Sequence, residues 1–141
     1  IIKLKEKKIN LIDESYNSNP LSLQFALNKF NNLNSKSKRK LILLGDMLEL
    51  GKYSKKLHRE AAKYINDAKI DKVYVYGSDV IETFNKIKPQ KRGKILNSKK
   101  DILNFMINDI KNGEYLMIKG SNSTGLNKIS QSLKAGKINA F

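Results

Sequence analysis

The sequence predicts a three-layer α/β domain, with a mostly parallel sheet of about six strands and helices on both faces. Short apolar runs of strand length alternate along the chain with segments that have helical spacing. That alternation is typical of right-handed βαβ crossovers, which place helices on both faces of a parallel sheet. The chain has 141 residues, of which 40% are hydrophobic, and this suits one domain with its own core.

Two short strands and a helix open the chain. The apolar runs at 1–4 and 9–13, separated by the basic turn KEKK, predict a hairpin or a broken edge strand. The segment after Pro20 has helical spacing. Asn19 can cap this helix, and a proline suits its first turn. The residues predicted to share its apolar face are Leu23, Ala26, Leu27 and Phe30.

A strand–helix–strand unit follows. The continuous apolar run LILL at 41–44 predicts a strand that is covered on both faces. Residues 54–68 return to helical spacing, and KVYVYG at 72–77 predicts the next strand. His58, the only histidine, is expected beside the buried face of this helix. The residues predicted to form that face are Leu57, Ala61, Tyr64, Ile65 and Ala68.

The rest of the chain continues the alternation. A short helix over 80–87 precedes a weak strand, KIL, at 94–96. A helix with apolar residues over 102–110 leads to a strong strand, YLMIKG, at 115–120, and a last helix contains the apolar residues of 126–133. We find no internal repeat, so one domain is expected.

Composition excludes several kinds of site. The chain contains no cysteine, which excludes disulfides, zinc–thiolate sites and cysteine nucleophiles and suits a reducing compartment. No apolar run approaches the roughly 20 residues of a membrane-spanning helix. The first residue is isoleucine rather than methionine, so we expect a longer parent protein.

The net charge of +15 has two interpretations. Clustered lysines can bind a polyanion by releasing its counterions, but lysine is also abundant along this whole chain. The densest basic runs, at 36–40 and 88–92, contain no aromatic residues that could stack on bases. We therefore expect no nucleic-acid partner, and keep a basic nucleic-acid-binding domain as an alternative.

Four loops follow predicted strands, where ligands of open α/β sheets bind. They are 14–20, 45–51, 77–79 and 119–125. The glycine spacing of 120–125 is that of a phosphate-binding loop, but the lysine and hydroxyl residue that should follow are absent. The helix start at this loop could hold a carboxylate or phosphate, although an ordinary helix cap needs the same residues.

The first of these loops is richer in polar side chains than a helix cap requires. Asp13 and Glu14 end a strand, where an acid can accept hydrogen bonds from ribose hydroxyls. Tyr16 could lie against a base or sugar, and Asn17 adds an amide. The sequence alone leaves open a stand-alone α/β module that binds a nucleotide or a small anion.

Three segments resemble the motifs of one family. LIDESYNSNP resembles Asp-Asp-Ser/Thr-Tyr-Asn-Ala-Asn-Pro, LILLGDMLELG resembles Leu-Gly-Asp-Met-x-Glu-Leu-Gly, and LMIKGSNS resembles Val-Lys-Gly-Ser-x-Ser. Their order and spacing match over nearly the whole chain. The sequence therefore resembles the C-terminal domain of the Mur ligases, the ATP-dependent amide-bond ligases of peptidoglycan synthesis. Within that family it is most similar to the members that add D-alanyl-D-alanine to UDP-N-acetylmuramoyl-tripeptide.

The resemblance implies a Rossmann-like domain, spanning 1–141, of a monomeric, cytoplasmic, three-domain enzyme. In this family the central domain holds most of the ATP and the Mg²⁺, and the N-terminal domain holds the UDP-sugar. The C-terminal domain brings the incoming amino acid or dipeptide and closes over ATP. The resemblance thus implies that this chain alone is inactive and contains neither a catalytic residue nor a metal ligand.

The resemblance also implies two sets of binding residues. Those expected beside the nucleotide are Asp13, Glu14, Tyr16 and Asn17. Those expected to bind the dipeptide are Asn19, Asp46, Glu49, Lys119, Ser121 and Ser123. Two positions depart from the family pattern: most relatives have aspartate where this chain has Glu14, and many have arginine at the position of Asn122.

Overall fold

Within residues 1–136, which the computed structural model describes, six strands form one sheet in the order β1-β2-β6-β3-β4-β5. The first pair, β1 and β2, is antiparallel, and the other four pairs are parallel. The fold class predicted from the sequence is therefore confirmed. The strands are β1 (Ile2–Leu4), β2 (Lys7–Glu14), β3 (Lys40–Gly45), β4 (Lys72–Tyr76), β5 (Arg92–Leu96) and β6 (Tyr115–Lys119).

Helices cover both faces of this sheet. A π-helical turn over Phe105–Asp109 continues the fourth helix, and short 3₁₀ turns lie at Gly51–Tyr53, Pro89–Lys91 and Asn122–Thr124. No helix in the described part of the chain is long and apolar enough to cross a membrane. The helices are α1 (Pro20–Asn32), α2 (Ser54–Asp67), α3 (Val80–Phe84), α4 (Lys99–Asn104) and α5 (Leu126–Lys134).

The two faces of the sheet pack into two separate cores. Side chains along β3 alternate between them: Leu41 and Leu43 face the α4 and α5 layer, and Ile42 and Leu44 face the α1, α2 and α3 layer. All four are at most 2% exposed. Since burial of one such side chain stabilises a fold by roughly 1.5–3 kcal/mol, the apolar run LILL anchors both layers.

The start of α1 matches the sequence prediction. Asn19 caps the helix: its side-chain oxygen accepts from the Ser22 amide at 2.8 Å, and the Ser22 hydroxyl accepts from the Asn19 amide at 2.9 Å. This reciprocal capping box satisfies two amides that the helix start would otherwise leave without partners.

The buried face of α2 is rotated relative to the prediction and consists of His58, Ala61, Ala62 and Ile65. His58 is 1% exposed, so it lies within that face rather than beside it, and Tyr64, predicted to be buried, is 42% exposed. A buried imidazole is tolerated because both of its nitrogens have hydrogen-bond partners. The apolar spacing of the sequence could not reveal those partners.

Candidate functional site

The strand order places the three motif loops side by side. In the sheet, β6 lies between β2 and β3, and all three strands are parallel. The loops that follow them, at 15–19, 46–50 and 120–125, therefore leave the sheet at its carboxyl edge next to one another. This is the edge at which open α/β sheets bind ligands.

Two glycines let the strand ends approach closely. A Cβ atom at Gly45 would lie 2.7 Å from the Leu126 Cδ1 atom, and one at Gly120 would lie 3.3 Å from the Gly45 Cα atom. Any larger residue at Gly45 would have to displace Leu126, which is fully buried at the start of α5. The glycines of two motifs are thus needed for the packing of β3, β6 and α5.

Ser121 joins the three loops. Its hydroxyl accepts from the Leu48 amide at 3.0 Å and donates to the Ser18 carbonyl at 3.3 Å. Its own amide donates to the Asp46 carbonyl at 3.3 Å. One small polar residue therefore fixes the spacing between the three loops.

Two side chains hold the loop that follows β3. The His58 Nε2 atom accepts from the Met47 amide at 3.0 Å, and Nδ1 donates to the Ser54 carbonyl at 2.7 Å, which defines a neutral tautomer. The Asp46 carboxylate accepts from the Val80 amide at 2.8 Å and so binds the first residue of α3. The loop itself contains Glu49 in a left-handed conformation, with φ of 63°, which is uncommon for a residue other than glycine.

The three loops surround a cavity of about 680 Å³, here called the loop cavity. Its volume lies within the range of small-molecule sites, roughly 300–1,000 Å³. Its lining is mostly amides and hydroxyls, with one carboxylate, from Glu49. The lining residues are Tyr16, Asn17, Ser18, Asn19, Leu48, Glu49, Leu50, Ser121, Asn122 and Ser123.

A second cavity, of about 350 Å³, lies at the end of β2 and is here called the strand-end cavity. It shares Tyr16 and Asn17 with the loop cavity, so that segment of backbone separates the two. The Tyr16 side chain is 75% exposed. The lining residues are Asp13, Glu14, Ser15, Tyr16, Asn17, Ser22, Lys119, Asn127 and Gln131.

Lys119 lies beneath the loop that follows β2. It is 2% exposed, and its ammonium group donates to the Asn17 carbonyl and, at 3.5 Å, to the Glu14 carbonyl. Burial lowers the pKa of Lys119, and the nearby Glu14 carboxylate opposes that shift. The two hydrogen bonds of the ammonium group attach the loop backbone to the end of β6.

Both acids at the end of β2 form ion pairs. Glu14 pairs with Lys29 of α1 at 3.2 Å, and Asp13 pairs with Lys134 of α5 at 2.7 Å. Burial acts to raise the pKa of Asp13, but hydrogen bonds from Lys134 and Ser15 outweigh it, so that this pKa lies below its usual value. These pairs leave the strand-end cavity close to electrical balance.

The structure distributes the predicted site residues over these two cavities. Asn19, Glu49, Ser121 and Ser123 line the loop cavity, as do Tyr16 and Asn17, whereas Asp13, Glu14 and Lys119 line the strand-end cavity. The resemblance grouped Lys119 with the dipeptide-binding residues. In the structure it lines the strand-end cavity together with Asp13 and Glu14. Asp46 lines neither cavity, because its carboxylate is turned toward α3.

Sequence reasoning missed several lining residues. Asn127 and Gln131 of α5 line the strand-end cavity. They are four residues apart on one helix face, a spacing that could have been noticed. Ser18 of the first motif also escaped notice. It is 2% exposed, and its hydroxyl has no hydrogen-bond partner within residues 1–136.

The described residues contain no cluster of metal-binding side chains. Among the residues that the structure describes, no group of three or more histidine, aspartate or glutamate side chains is placed to hold a metal ion. The carboxylates of Asp13 and Glu14 are instead neutralised by lysines.

A comparison with protein families decides the family of this chain. The family described as "Mur ligase, glutamate ligase domain" matches residues 2–122. The chain belongs to the Mur ligase family. The match includes the first two motif loops of this Mur ligase domain and the beginning of the third.

Curated relatives of this Mur ligase domain have a common description. The UDP-N-acetylmuramoyl-tripeptide–D-alanyl-D-alanine ligase of Bacillus subtilis is 30% identical over 128 residues, which are 89% of this chain and 28% of the relative. The ligase of the same description from Buchnera aphidicola is 31% identical over 137 residues, 94% of this chain and 28% of the relative. The chain thus spans little more than a quarter of these relatives' length.

Solved structures show the same fold. A MurF ligase from Thermotoga maritima, in complex with ADP, superposes with a TM-score of 0.73 at 22% identity, over 99% of this chain and 31% of that one. A domain described as part of a UDP-N-acetylmuramate:L-alanyl-γ-D-glutamyl-diaminopimelate ligase from Haemophilus ducreyi superposes with a TM-score of 0.62 at 17% identity. That match covers 97% of this chain and 99% of that domain. A solved structure of about this length therefore has the fold of this Mur ligase domain.

Proposed function

We propose that this chain is the C-terminal domain of a three-domain ATP-dependent ligase that joins D-alanyl-D-alanine to UDP-N-acetylmuramoyl-tripeptide. The description shared by the curated relatives supports this activity, and the chain's coverage of 28% of each relative supports a domain of a longer protein. The observation that carries the proposal is the loop cavity of about 680 Å³, because all three family motifs contribute to its lining.

The loop cavity would hold the dipeptide. Glu49, the carboxylate in its lining, would pair with the ammonium group of D-alanyl-D-alanine. The hydroxyl of Ser123 would bind the dipeptide carboxylate beside the start of α5, where the helix dipole favours negative charge. Ser121, whose hydroxyl already donates to the Ser18 carbonyl, would hold the three loops around the dipeptide. Lys119 would act indirectly, because its ammonium group holds the backbone of Asn17 and Glu14.

The strand-end cavity would receive the ribose side of ATP. Its volume of about 350 Å³ is at the low end for a ligand site, so it would hold a part of the nucleotide. To accept a ribose hydroxyl, Glu14 would exchange its contact with Lys29, whose side chain is 72% exposed. An exposed ion pair is worth roughly 0–1 kcal/mol, so the exchange costs little.

In the proposed reaction, the γ-phosphoryl group of ATP moves to a carboxylate oxygen of the tripeptide, and the dipeptide nitrogen then displaces phosphate and loses a proton. Mg²⁺ and the phosphates would be bound mainly outside this chain. This domain would hold the amine at the acyl carbon and exclude water when it closes. Orientation of that kind can supply roughly 7–11 kcal/mol of a barrier.

The test uses the protein that contains this chain, supplied with Mg²⁺, ATP and UDP-N-acetylmuramoyl-tripeptide. ADP release should depend on D-alanyl-D-alanine. Glu49→Gln should raise the KM for the dipeptide about tenfold, the cost of a charge-assisted hydrogen bond. Glu6→Gln, which removes an exposed carboxylate from the β1–β2 turn, is the matched control.

Two results would contradict the proposal. ADP release that is independent of the dipeptide would reject the activity. Equal KM values for the two variants would reject the loop cavity as the dipeptide site, even if the enzyme is active.

A further inference from the structure

The amino edge of the sheet, opposite the two cavities, is strongly basic. Four of the five parallel strands begin with a basic residue: β2 with Lys7, β3 with Lys40, β4 with Lys72 and β5 with Arg92. The amino ends of parallel strands lie at one edge, so these charges are gathered in space although they are dispersed in the sequence.

A groove of about 640 Å³ opens at this edge, between the last turns of α1 and α2 and the start of β3. It is here called the amino-edge groove. Asp71 is the one carboxylate in its lining. The basic residues in the lining are Lys38, Arg39, Lys40, Lys69 and Lys91.

Two of these cations are fixed on helix ends. The Lys40 ammonium group, on a residue 5% exposed, donates to the Phe30 carbonyl at 2.6 Å and the Asn31 carbonyl at 3.2 Å, in the last turn of α1. The Lys91 ammonium group donates to the Ile65 and Ala68 carbonyls at the end of α2, at 3.0 and 2.5 Å. They offset the partial negative charge of the two helix ends.

The remaining cations differ in what neutralises them. Arg39 forms a two-pronged ion pair with Glu114. Lys38 and Lys69 are exposed, and no carboxylate within residues 1–136 forms an ion pair with either. The groove therefore holds more positive charge than its own acids and helix ends neutralise.

Like charges oppose the protonated forms of the two buried lysines. Burial lowers the pKa of Lys40, and the like charge of Lys69 lowers it further, while Asp71 acts in the opposite direction. Burial also lowers the pKa of Lys91, with a further contribution from Lys88 beside the groove, and Asp71 again opposes the shift. An anion placed between these groups would remove the repulsion.

We propose that the amino-edge groove is a second binding site, separate from the ligase site, for a small oligophosphate such as a linear triphosphate. The groove is concave, which suits a compact ligand better than a flat membrane surface. Its lining contains no aromatic residue, so it offers no platform on which nucleic-acid bases could stack. Lys38 and Lys69 are exposed and would fold over the ligand, Lys38 by leaving its position against Gly113, and Lys40 and Lys91 also line the groove.

The experiment titrates the 141-residue chain with inorganic tripolyphosphate at constant ionic strength and follows backbone amide NMR shifts. The largest shifts are expected at 31–40 and 68–71. The variant Lys38→Gln/Lys69→Gln should weaken binding about tenfold, since exposed charge contacts are worth up to roughly 1 kcal/mol each. Neither ammonium group makes a hydrogen bond within the described residues, so this variant should fold normally.

A matched control separates a site from general charge. Lys99→Gln/Lys100→Gln removes the same two charges from exposed positions at the start of α4 and should change the affinity less than about twofold. Equal weakening in both double variants would overturn the proposal, as would shifts centred on 120–126. Tighter binding of a short oligonucleotide than of tripolyphosphate would overturn the small-ligand assignment in favour of a nucleic-acid surface.

Discussion

At the carboxyl edge of the sheet, neutral polar side chains, one aspartate and one lysine bind the backbone of loops, whereas at the amino edge lysines bind the ends of helices. Ser121, His58 and Asp46 each bind backbone groups of neighbouring loops at the carboxyl edge. At the amino edge, Lys40 and Lys91 each place an ammonium group on carbonyls at a helix end.

Lys7 is the extreme case at the amino edge. Its ammonium group donates to the Met106, Ile107 and Ile110 carbonyls at 2.9, 2.7 and 2.6 Å, where the π-helical turn ends. Part of the +15 charge is therefore structural, since it offsets the dipoles of helices that all end at the same edge. The carboxyl edge needs no cations to offset these helix ends, because the helices end at the opposite edge. Its polar side chains line the two cavities instead.

The largest expected effect tests the close backbone packing of the carboxyl edge. Gly77 has φ of 144°, and a Cβ atom there would lie 2.5 Å from the Asp46 carboxylate. Gly77→Ala would add backbone strain and break the contact of Asp46 with α3, at a cost of about 3 kcal/mol in the free energy of unfolding. Denaturant unfolding measures this cost.

Gly51→Ala is the control for that variant. Gly51 has φ of 61°, with no atom within 4 Å of an added Cβ, so only the left-handed conformation should cost free energy, about 1 kcal/mol. Equal costs at the two glycines would show that the Asp46 contact contributes nothing.

The next prediction compares one buried lysine from each edge. Lys40→Met and Lys119→Met should each lower the free energy of unfolding by about 2 kcal/mol, because buried carbonyls lose their donors. In the ligase proposed above, only Lys119→Met should also raise the KM for the dipeptide, because Lys119 supports the loop between the cavities. A raised KM for the dipeptide in Lys40→Met would contradict the proposal that only the carboxyl edge of the sheet takes part in dipeptide binding.

The same pair of variants has a pH dependence. Burial lowers the pKa of Lys40 and of Lys119 below 10.5 in the folded state, so the unfolded chain binds more protons just below that pH. The wild-type chain should therefore gain stability relative to either methionine variant as the pH rises toward 10.5. A difference in stability that stays constant with pH would contradict this.

A smaller effect is expected from the serine that joins the loops. Ser121→Ala should lower the free energy of unfolding by about 1–2 kcal/mol, because it removes the hydrogen bonds to the Leu48 amide and the Ser18 carbonyl. Ser123→Ala removes an exposed hydroxyl without such contacts and should stay within about 0.5 kcal/mol of wild type. Thermal unfolding of both variants checks the difference. Equal losses of stability in the two variants would show that the hydrogen bonds of Ser121 between the loops do not stabilise the fold.

The smallest expected effect concerns the acid at the end of β2. Asp13→Asn should cost about 0.5–1 kcal/mol at neutral pH, where the pair with Lys134 is intact. Because the folded-state pKa of Asp13 lies below 3.8, this cost should persist above that pH and vanish as the pH falls through the folded-state value. Asp67→Asn, at an exposed position without an ion pair within residues 1–136, should cost less than about 0.5 kcal/mol at neutral pH.

The sequence predicted the six strands, the helices between them and the edge at which the motif loops lie, because apolar spacing and strand–helix alternation depend on local residues. It could not give the strand order. That order depends on pairing between distant segments, such as Asn10 with Tyr115. The position of β6 between β2 and β3 is what brings the three loops together.

Within the site, the sequence could not give the orientation of individual side chains. Asp46 was expected in a ligand pocket, but the amide of Val80 draws its carboxylate toward α3. Lys119 was expected on the dipeptide side and instead holds the carbonyl of Asn17. Both contacts are to backbone groups of other elements, which no sequence pattern reveals.

The central position of β6 also constrains how the chain folds. β2 and β3 have no contact as neighbouring strands until Tyr115–Lys119 is placed between them. On the ribosome, a nascent chain synthesised as far as residue 114 would therefore hold two unpaired strand edges, one on the β1–β2 hairpin and one on the three strands β3, β4 and β5. Closure over a loop of roughly 100 residues is slow, so chaperone binding to this chain should be strongest just before β6 emerges.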